Sequence, residues 1–216
     1  MAKVFPFKGV RYNLKKAGPI ENLVTPPYDV INKEAQEAYY DRSPDNIIRL
    51  ELGKTFASDT EKDNQYTRAA QQYRQWLEDG TLFYEDRPSL YFYEQGFSAY
   101  HREYTRKGII CALQLEPYEN NVVIPHEETL PKAKADRLKL MHHCKANFSS
   151  IFGIYNDETN TALTLFETVR DKAPDISFTD DSGVSHKLWV VKNEDIIGQW
   201  QALLADKQVY IADGHH

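Results

Sequence analysis

Apolar residues recur at helical spacing in several stretches of the chain, and each such stretch predicts an amphipathic helix. The clearest covers residues 59–79 and ends before Gly80, a residue typical of helix C-termini. In another, over residues 134–146, we expect Leu138, Met141 and Cys144 to face the core. The remaining helices are predicted over residues 33–41, 159–172 and 194–204, with Asn32, Thr159 and Asn193 as N-terminal caps.

Other stretches carry the pattern of β-strands, in which apolar and polar positions alternate or short apolar runs end at turn residues. Residues 89–97 and 103–116 are expected to pair as an antiparallel hairpin, and residues 175–179 and 185–191 as a second one. Shorter strands are predicted over residues 4–11, 46–52, 122–124, 151–155 and 208–212, and the strand over residues 151–155 is expected to be buried.

This order of elements predicts an α+β fold, with a mixed, largely antiparallel sheet or sheets flanked by helices. Pro117 and the asparagine pair after it interrupt the strands near residues 116–121. The chain is therefore expected to divide into residues 1–118 and 119–216, unless the two parts form one continuous domain.

Composition narrows the classes of function. The net charge of −6 argues against general nucleic-acid binding, which needs a basic face. The two cysteines are too few for a disulfide scaffold. Cys111 shares an apolar strand face with Leu113 and Leu115, so we expect it in the core rather than as a nucleophile.

The chain shows no targeting or membrane-spanning segment. Its first residues lack the apolar core of a signal peptide. No run approaches the ~18 apolar residues that a membrane span needs. We therefore expect a cytoplasmic protein with neither a membrane nor a nucleic acid as its partner.

Three short segments concentrate residue types that carry chemistry. Pro26 and Pro27 stiffen the segment that presents Asp29, as a site that must hold a carboxylate in place would require. The alternative is an ordinary loop with a solvated aspartate. Asp213-Gly214-His215-His216 follows a predicted strand, as a site loop would, although a plain tail or part of a purification tag has the same composition.

The third segment, between Pro125 and Pro131, places His126, Glu127 and Thr129 at a strand end, and Lys134 and Arg137 follow it. It is not the zinc helix His-Glu-x-x-His, because Leu130 stands four positions after His126. Adjacent residues of a helix point about 100° apart, so His142-His143-Cys144 does not suit one ion either. No metal site is predicted.

These segments resemble a known bacterial and archaeal family, domain of unknown function 1015. The resemblance is carried by Val24-Thr-Pro-Pro-Tyr-Asp-Val-Ile31, Asn46-Ile-Ile-Arg-Leu50, Pro125-His-Glu-x-Thr129, Lys134-x-Asp-Arg-Leu138, Ala146-Asn147 with Ser149, and the terminal Asp-Gly-His-His. Members of that family are longer, so we expect this chain to be an N-terminal portion that ends within the last motif.

The terminal motif is also similar to the phosphate-binding loop of the ParB/sulfiredoxin-like group, which includes kinases that phosphorylate free serine. That resemblance implies a nucleotide-dependent phosphotransferase acting on a small hydroxyl metabolite such as serine, with ATP or ADP and Mg²⁺. Asp29, Glu127 and His126 would be the catalytic candidates. The phosphate-binding candidates would be Thr129, Lys134, Arg137, Asp213, Gly214, His215 and His216.

Two alternatives remain open. One is a non-catalytic ligand-binding or regulatory protein on the same scaffold, and the other is a phosphoester hydrolase that uses His126 with Glu127.

Overall fold

A computed structural model describes residues 1–215, which form seven α-helices and eleven β-strands. The helices are α1 (Leu14–Ala17), α2 (Lys33–Arg42), α3 (Ile48–Glu51), α4 (Gln65–Glu78), α5 (Pro131–Cys144), α6 (Thr161–Arg170) and α7 (Glu194–Leu204). The strands are β1 (Val4–Phe5), β2 (Val10–Tyr12), β3 (Leu82–Tyr84), β4 (Leu90–Ala99), β5 (Arg102–Ile110), β6 (Ala112–Leu113), β7 (Val123–Ile124), β8 (Phe152–Ile154), β9 (Ile176–Thr179), β10 (Ser185–Val191) and β11 (Val209–Asp213). Most strand pairs are antiparallel, and the expected α+β class is confirmed.

The chain folds as two compact units whose segments alternate along the sequence. Among the described residues, unit 1 contains residues 1–9, 84–126 and 151–213, and unit 2 contains residues 10–83, 127–150 and 214–215. The division expected after residue 118 falls inside unit 1.

A four-stranded antiparallel sheet in the order β5-β4-β10-β9 forms the centre of unit 1. Both predicted hairpins are present in it, one as β4–β5 and the other as β9–β10. The buried residues of β4 and β10 pack with α6 and α7 in one core. In this core, the Phe92 ring stacks on Phe166 with centroids 5.1 Å apart and meets the Trp200 ring edge-on at 5.5 Å.

Unit 1 also contains a small sheet in the order β7-β11-β8. Its middle strand, β11, runs parallel to β7 and antiparallel to β8. The predicted final strand is therefore confirmed, and it lies in the middle of its sheet.

Unit 2 is built around the packing of α4 on α5, with α3 beside α4. The Asn64 side chain and Thr67 form a reciprocal capping box at the start of α4, so the helix begins later than the predicted residue 59. Ala69, Tyr73 and Trp76 lie buried on its inner face. The Asn32 cap of α2 is confirmed, since its side chain accepts the Ala35 N–H at 2.8 Å.

The strand predicted over residues 46–52 is wrong, because this segment turns into the short helix α3. The Asn46 side chain accepts the Ile48 N–H at 2.9 Å and donates to the Asn22 carbonyl at 2.8 Å. The side chain thus satisfies main-chain groups that a strand would have paired with a neighbour.

The inward face predicted for α5 is partly wrong. Leu138 and Met141 are exposed, whereas Leu140 and Cys144 are buried. The inward face of α5 instead includes Arg137, which forms an ion pair with Glu51 inside unit 2. Hydrophobic periodicity would favour an apolar residue at that position.

Three further expectations fail. Leu115 is 95% exposed, so the alternation after β5 ends at Leu113. Phe152 and Ile154 are largely exposed, so β8 is not a buried strand. Thr159 does not cap α6, because the Ala162 N–H is accepted by Asp157 instead.

Among the described residues, no helix combines the length and the apolar character that crossing a membrane requires.

Candidate functional site

The carboxyl ends of β7 and β11 lie at the same edge of the small sheet, because the two strands run parallel. His126 follows β7 by two residues, and Asp213 is the last residue of β11. Polar groups at the carboxyl ends of parallel strands commonly form binding sites. The structure therefore brings two of the predicted residues, His126 and Asp213, to one edge of unit 1.

His126 is fixed at this edge by a main-chain contact. Its Nδ1 lies 2.6 Å from the carbonyl oxygen of Ile211 in β11. A carbonyl oxygen only accepts, so Nδ1 is the donor in this hydrogen bond. In the neutral ring the lone pair is then on Nε2, the nitrogen that can take up a proton or bind a metal ion.

The end of β11 is irregular. The register with β8 shifts between Ile211 and Asp213, and Asp213 faces Phe152 across the two strands. The next residue, Gly214, has φ +77°, a left-handed conformation that glycine adopts without strain. A left-handed glycine directly after a strand is a conformation that anion-binding turns also use.

His215 belongs to unit 2, where its Nδ1 lies 3.3 Å from Oε1 of Glu127. The His215 side chain is 2% exposed, and that of Glu127 is half exposed. This pair joins two predicted site residues within unit 2. His216 lies outside the described residues.

A second group of polar residues surrounds Arg137 on α5, also within unit 2. Arg137 Nε donates to Oδ2 of Asp136 at 2.8 Å, and Nη2 donates to the same oxygen. Nη1 lies 3.1 Å from both the main-chain oxygen and Oε1 of Glu51. The guanidinium carbon lies 3.8 Å from the centre of the Tyr28 ring, as in a cation–π contact.

The two carboxylates that hold Arg137 have further donors. Ser149 Oγ donates to Oε1 of Glu51, whose side chain is 6% exposed. The Tyr66 hydroxyl donates to Oδ1 of Asp136 at 2.6 Å. Burial, followed by the hydrogen bond to Asp136, raises the pKa of Tyr66, so this hydroxyl stays protonated and remains a donor at neutral pH.

Four of the segments behind the family resemblance contribute to the group around Arg137 or directly adjoin it. Tyr28 comes from the first of them, Glu51 directly follows the second, Asp136 and Arg137 belong to the Lys134–Leu138 segment, and Ser149 follows Ala146-Asn147. Reasoning from residue chemistry alone missed Glu51, Ser149 and Tyr66. The spacing of the resembling segments could have grouped Glu51 and Ser149, whereas Tyr66 lies outside those segments.

Three further predicted site residues, Asp29, Thr129 and Lys134, also belong to unit 2. Asp29 is exposed in a 3₁₀ turn over Tyr28–Val30. Thr129 is half-buried in the loop before α5, and Lys134 is exposed on the first turns of α5.

A recess of about 230 Å³ opens in unit 2 at the start of α2. Its polar lining consists of Asn32, Lys33, Gln36, Thr55 and Gln65. Gly53 and Gln65 also line a smaller hollow that reaches Glu51 and Arg137. Polar groups around a hollow of this size suit a small polar ligand.

Comparison with known proteins gives one family. A family model described as a protein of unknown function, DUF1015, matches residues 4–216. Neither a curated protein nor a solved structure matches the chain significantly.

Proposed function

The chain belongs to the DUF1015 family of proteins of unknown function, and from the likeness of its terminal motif to a phosphate-binding loop we propose that it is a nucleotide-dependent phosphotransferase acting on a small hydroxyl metabolite such as serine. The observation that carries the proposal is the hydrogen bond from His126 Nδ1 to the Ile211 carbonyl, 2.6 Å long. It orients a proton-accepting nitrogen at the strand edge where Asp213 ends β11.

In the proposed reaction, His126 Nε2 takes the proton of the acceptor hydroxyl as its oxygen bonds to the terminal phosphorus of the nucleotide. The bond between that phosphorus and the bridging oxygen breaks, and the nucleoside diphosphate leaves. The proton on His126 then passes to solvent. In phosphoryl transfer, one contribution of the protein is a base that orients the acceptor hydroxyl.

Asp213 and the turn after it are assigned to the phosphates and their metal ion. Carboxylate oxygens are the protein ligands that Mg²⁺ prefers, and Asp213 is exposed at the strand end. Bound Mg²⁺ would neutralise charge on the phosphate oxygens. The left-handed glycine that follows, Gly214, lets the main chain approach the phosphates closely.

Arg137 was predicted to bind phosphate, but this proposal gives it a structural role. Its guanidinium group is engaged by Glu51 and Asp136, so we assign it to holding the resembling segments of unit 2 together rather than to phosphate. Thr129, Lys134 and His215 remain predicted phosphate ligands. Asp29 and Glu127 remain the alternative bases.

The test compares two changes of histidine to asparagine. His126→Asn keeps an amide donor at the position of Nδ1 but removes Nε2, so we expect turnover to fall roughly 10²- to 10⁴-fold with ATP affinity unchanged. His142→Asn changes an exposed histidine of α5 and should leave turnover intact. Phosphoserine formation from serine and ATP with Mg²⁺, followed by ³¹P NMR, is the readout.

Thermal unfolding gives the decisive negative result. If ATP, ADP and phosphoserine all leave the Tm unchanged, with and without Mg²⁺, the proposal fails. Release of phosphate from ATP or a phosphoester without any acceptor would instead assign His126 to water activation, as in a phosphoester hydrolase.

A second candidate is ligand binding without turnover, and the polar recess of about 230 Å³ in unit 2 favours it. It predicts that a small polar ligand stabilises the chain and that Lys33→Met weakens this effect. His126→Asn should leave such binding unchanged.

A further inference from the structure

A row of aromatic rings and one guanidinium group crosses unit 1. The rings of Phe97 and Tyr104 stack with centroids 5.8 Å apart and planes inclined by 21°. The guanidinium carbon of Arg106 lies 5.7 Å from the Phe97 ring centre and 5.0 Å from that of Phe152. We call Phe97, Tyr104, Arg106 and Phe152 the aromatic ladder.

Regular strand pairing holds most of the ladder in place. Phe97 faces Tyr104 and Gln95 faces Arg106 across the β4–β5 hairpin. Residues two apart in a strand share a face, so these four side chains project from the same side of the sheet. Gln95 Oε1 accepts from Arg106 Nε at 3.0 Å and from Nη2 at 2.7 Å, which fixes the plane of the guanidinium group.

This face is opposite to the one that builds the core of unit 1. Phe92 and Trp189, which pack in that core, face each other at the alternate positions of β4 and β10. Tyr104 and Phe152 are each 41% exposed, and Arg106 is exposed. Exposed rings on an edge strand such as β5 are an aggregation liability, so their presence needs a reason in the folded protein.

Phe152 connects the ladder to the candidate site. It is the first residue of β8 and lies opposite Asp213, the last residue of β11. The ladder therefore ends beside the strand end to which the proposed function assigns the phosphates and Mg²⁺.

We propose that the aromatic ladder is the platform for the base of the nucleotide, an inference that rests on the proposed function. A nucleobase presents a flat π-face that stacks on tyrosine and phenylalanine rings, and the cation of Arg106 adds to such stacking. Stacking is tolerant of base identity, so ATP and GTP bind with similar affinity.

A free nucleotide fits this surface better than a nucleic-acid strand. The chain carries a net charge of −6, which repels a polyanion more than a single nucleotide. The described ladder spans only a short row of side chains, and one base with its ribose reaches from such a row to adjacent phosphates.

The experiment separates the base from the phosphates. Isothermal titration calorimetry compares the affinity of the chain for ATP and for inorganic tripolyphosphate, both with Mg²⁺. Phe152→Leu and Tyr104→Leu each remove a ring but keep an apolar side chain, and we expect each to weaken ATP roughly 5- to 100-fold. Tripolyphosphate affinity should not change in either variant.

Tyr118→Leu is the matched control, because Tyr118 is also an exposed tyrosine of unit 1, at 54%, and lies outside the ladder. It should leave both affinities unchanged. Circular dichroism checks the fold of each variant, and Tyr104→Leu decides the question if Phe152→Leu does not fold.

Four results would overturn the platform. Equal affinity of the unmodified chain for ATP and tripolyphosphate, or unchanged ATP affinity in both ladder variants, removes the platform and leaves phosphoryl transfer standing. Absence of binding by either probe removes the platform and the proposed function together. Tighter binding of a single-stranded deoxythymidine oligonucleotide than of ATP, lost in Phe152→Leu, assigns the ladder to nucleic acid instead.

Discussion

Glu51 and Arg137 are 86 residues apart in the sequence, yet Nη1 of Arg137 lies 3.1 Å from both the main-chain oxygen and Oε1 of Glu51. Their side chains are 6% and 13% exposed, so the pair is largely removed from water. Charges in such a place are tolerated only when each keeps its partner. This ion pair therefore fixes α3 against α5 within unit 2.

Removing the arginine should destabilise the protein strongly. Arg137→Met leaves Glu51 and Asp136 without their common cation, and we expect the free energy of unfolding to fall by about 3–5 kcal/mol. Urea unfolding measures the change. Lys134→Met, on an exposed position of the same helix, should change it by less than about 0.5 kcal/mol. A similar, small loss in both variants would contradict the structural role of Arg137.

The turn after β11 should not accept a side chain. Gly214 has φ +77°, and a left-handed conformation costs an alanine about 1–2 kcal/mol. Alanine should let the turn of the free protein relax from this conformation, and ATP binding must then restore it. We therefore expect Gly214→Ala to weaken ATP binding roughly 5- to 30-fold, as measured by calorimetry.

Gly198→Ala is the control for that substitution. Gly198 lies inside α7, where an added Cβ meets no atom within 4 Å. Alanine should raise the free energy of unfolding there by about 0.5–1 kcal/mol through its higher helix propensity and leave ATP affinity unchanged. An effect of Gly214→Ala no larger than that of Gly198→Ala would remove the turn from the proposed site.

Both cysteines should react slowly in the folded protein. Burial raises the pKa of Cys111 and of Cys144 to about 11, so on the order of 10⁻³ of either thiol is ionised at pH 8. Labelling with Ellman's reagent should be slow until urea unfolds the chain. Rapid labelling of the native protein at pH 8 would place one thiol at the surface.

The same shifts have a consequence for stability in alkali. Folding holds each thiol in its neutral form, so the stabilisation is complete below the unfolded pKa of about 8.5. It is lost as the pH rises toward 11, the value given for the folded thiols. The urea midpoint should therefore decline over this range, and less so in Cys111→Ala.

Acid should weaken a different contact. The Lys16 ammonium group, and next the Thr81 hydroxyl, lower the pKa of Asp79 to about 2. A lowered pKa gives stability that is present above the unfolded value of about 3.9 and lost as the pH falls toward 2. Asp79→Asn should remove this part of the acid dependence of the urea midpoint. The control Asp206→Asn, which changes an exposed aspartate, should preserve it.

Local signals in the sequence predict most of the secondary structure. Asn32 and Asn193 cap helices where their side chains were expected to do so, and the turn after Asp180 closes the predicted hairpin with φ +81° at Gly183. Each of these signals acts between residues a few positions apart. Their outcome therefore depends little on the rest of the fold.

The errors arise where a distant residue decides. The inward face of α5 depends on Glu51, which pairs with Arg137 from another part of the chain. Likewise, α3 replaces a strand because Asn46 finds the carbonyl of Asn22. Hydrophobic periodicity contains no information about such polar partners.

For the candidate site, the sequence predicted the residues but not their arrangement in space. The sequence indicated His126 and Asp213 as chemically useful residues at strand ends. Their common edge could not be read from it, because it depends on β7 and β11 running parallel. The aromatic ladder escaped notice because its members are spread over two strands of one hairpin and a distant third strand.

Unit 1 can complete its fold only after residues 201–207 have been synthesised. The Ala2 N–H bonds to the carbonyl of Lys207 at 3.0 Å, and the Gln201 side chain donates to the carbonyl of Val4 at 3.0 Å. Strand β1 must therefore wait for residues some two hundred positions later. Contacts of such long sequence separation slow folding and leave the apolar segments made earlier exposed meanwhile.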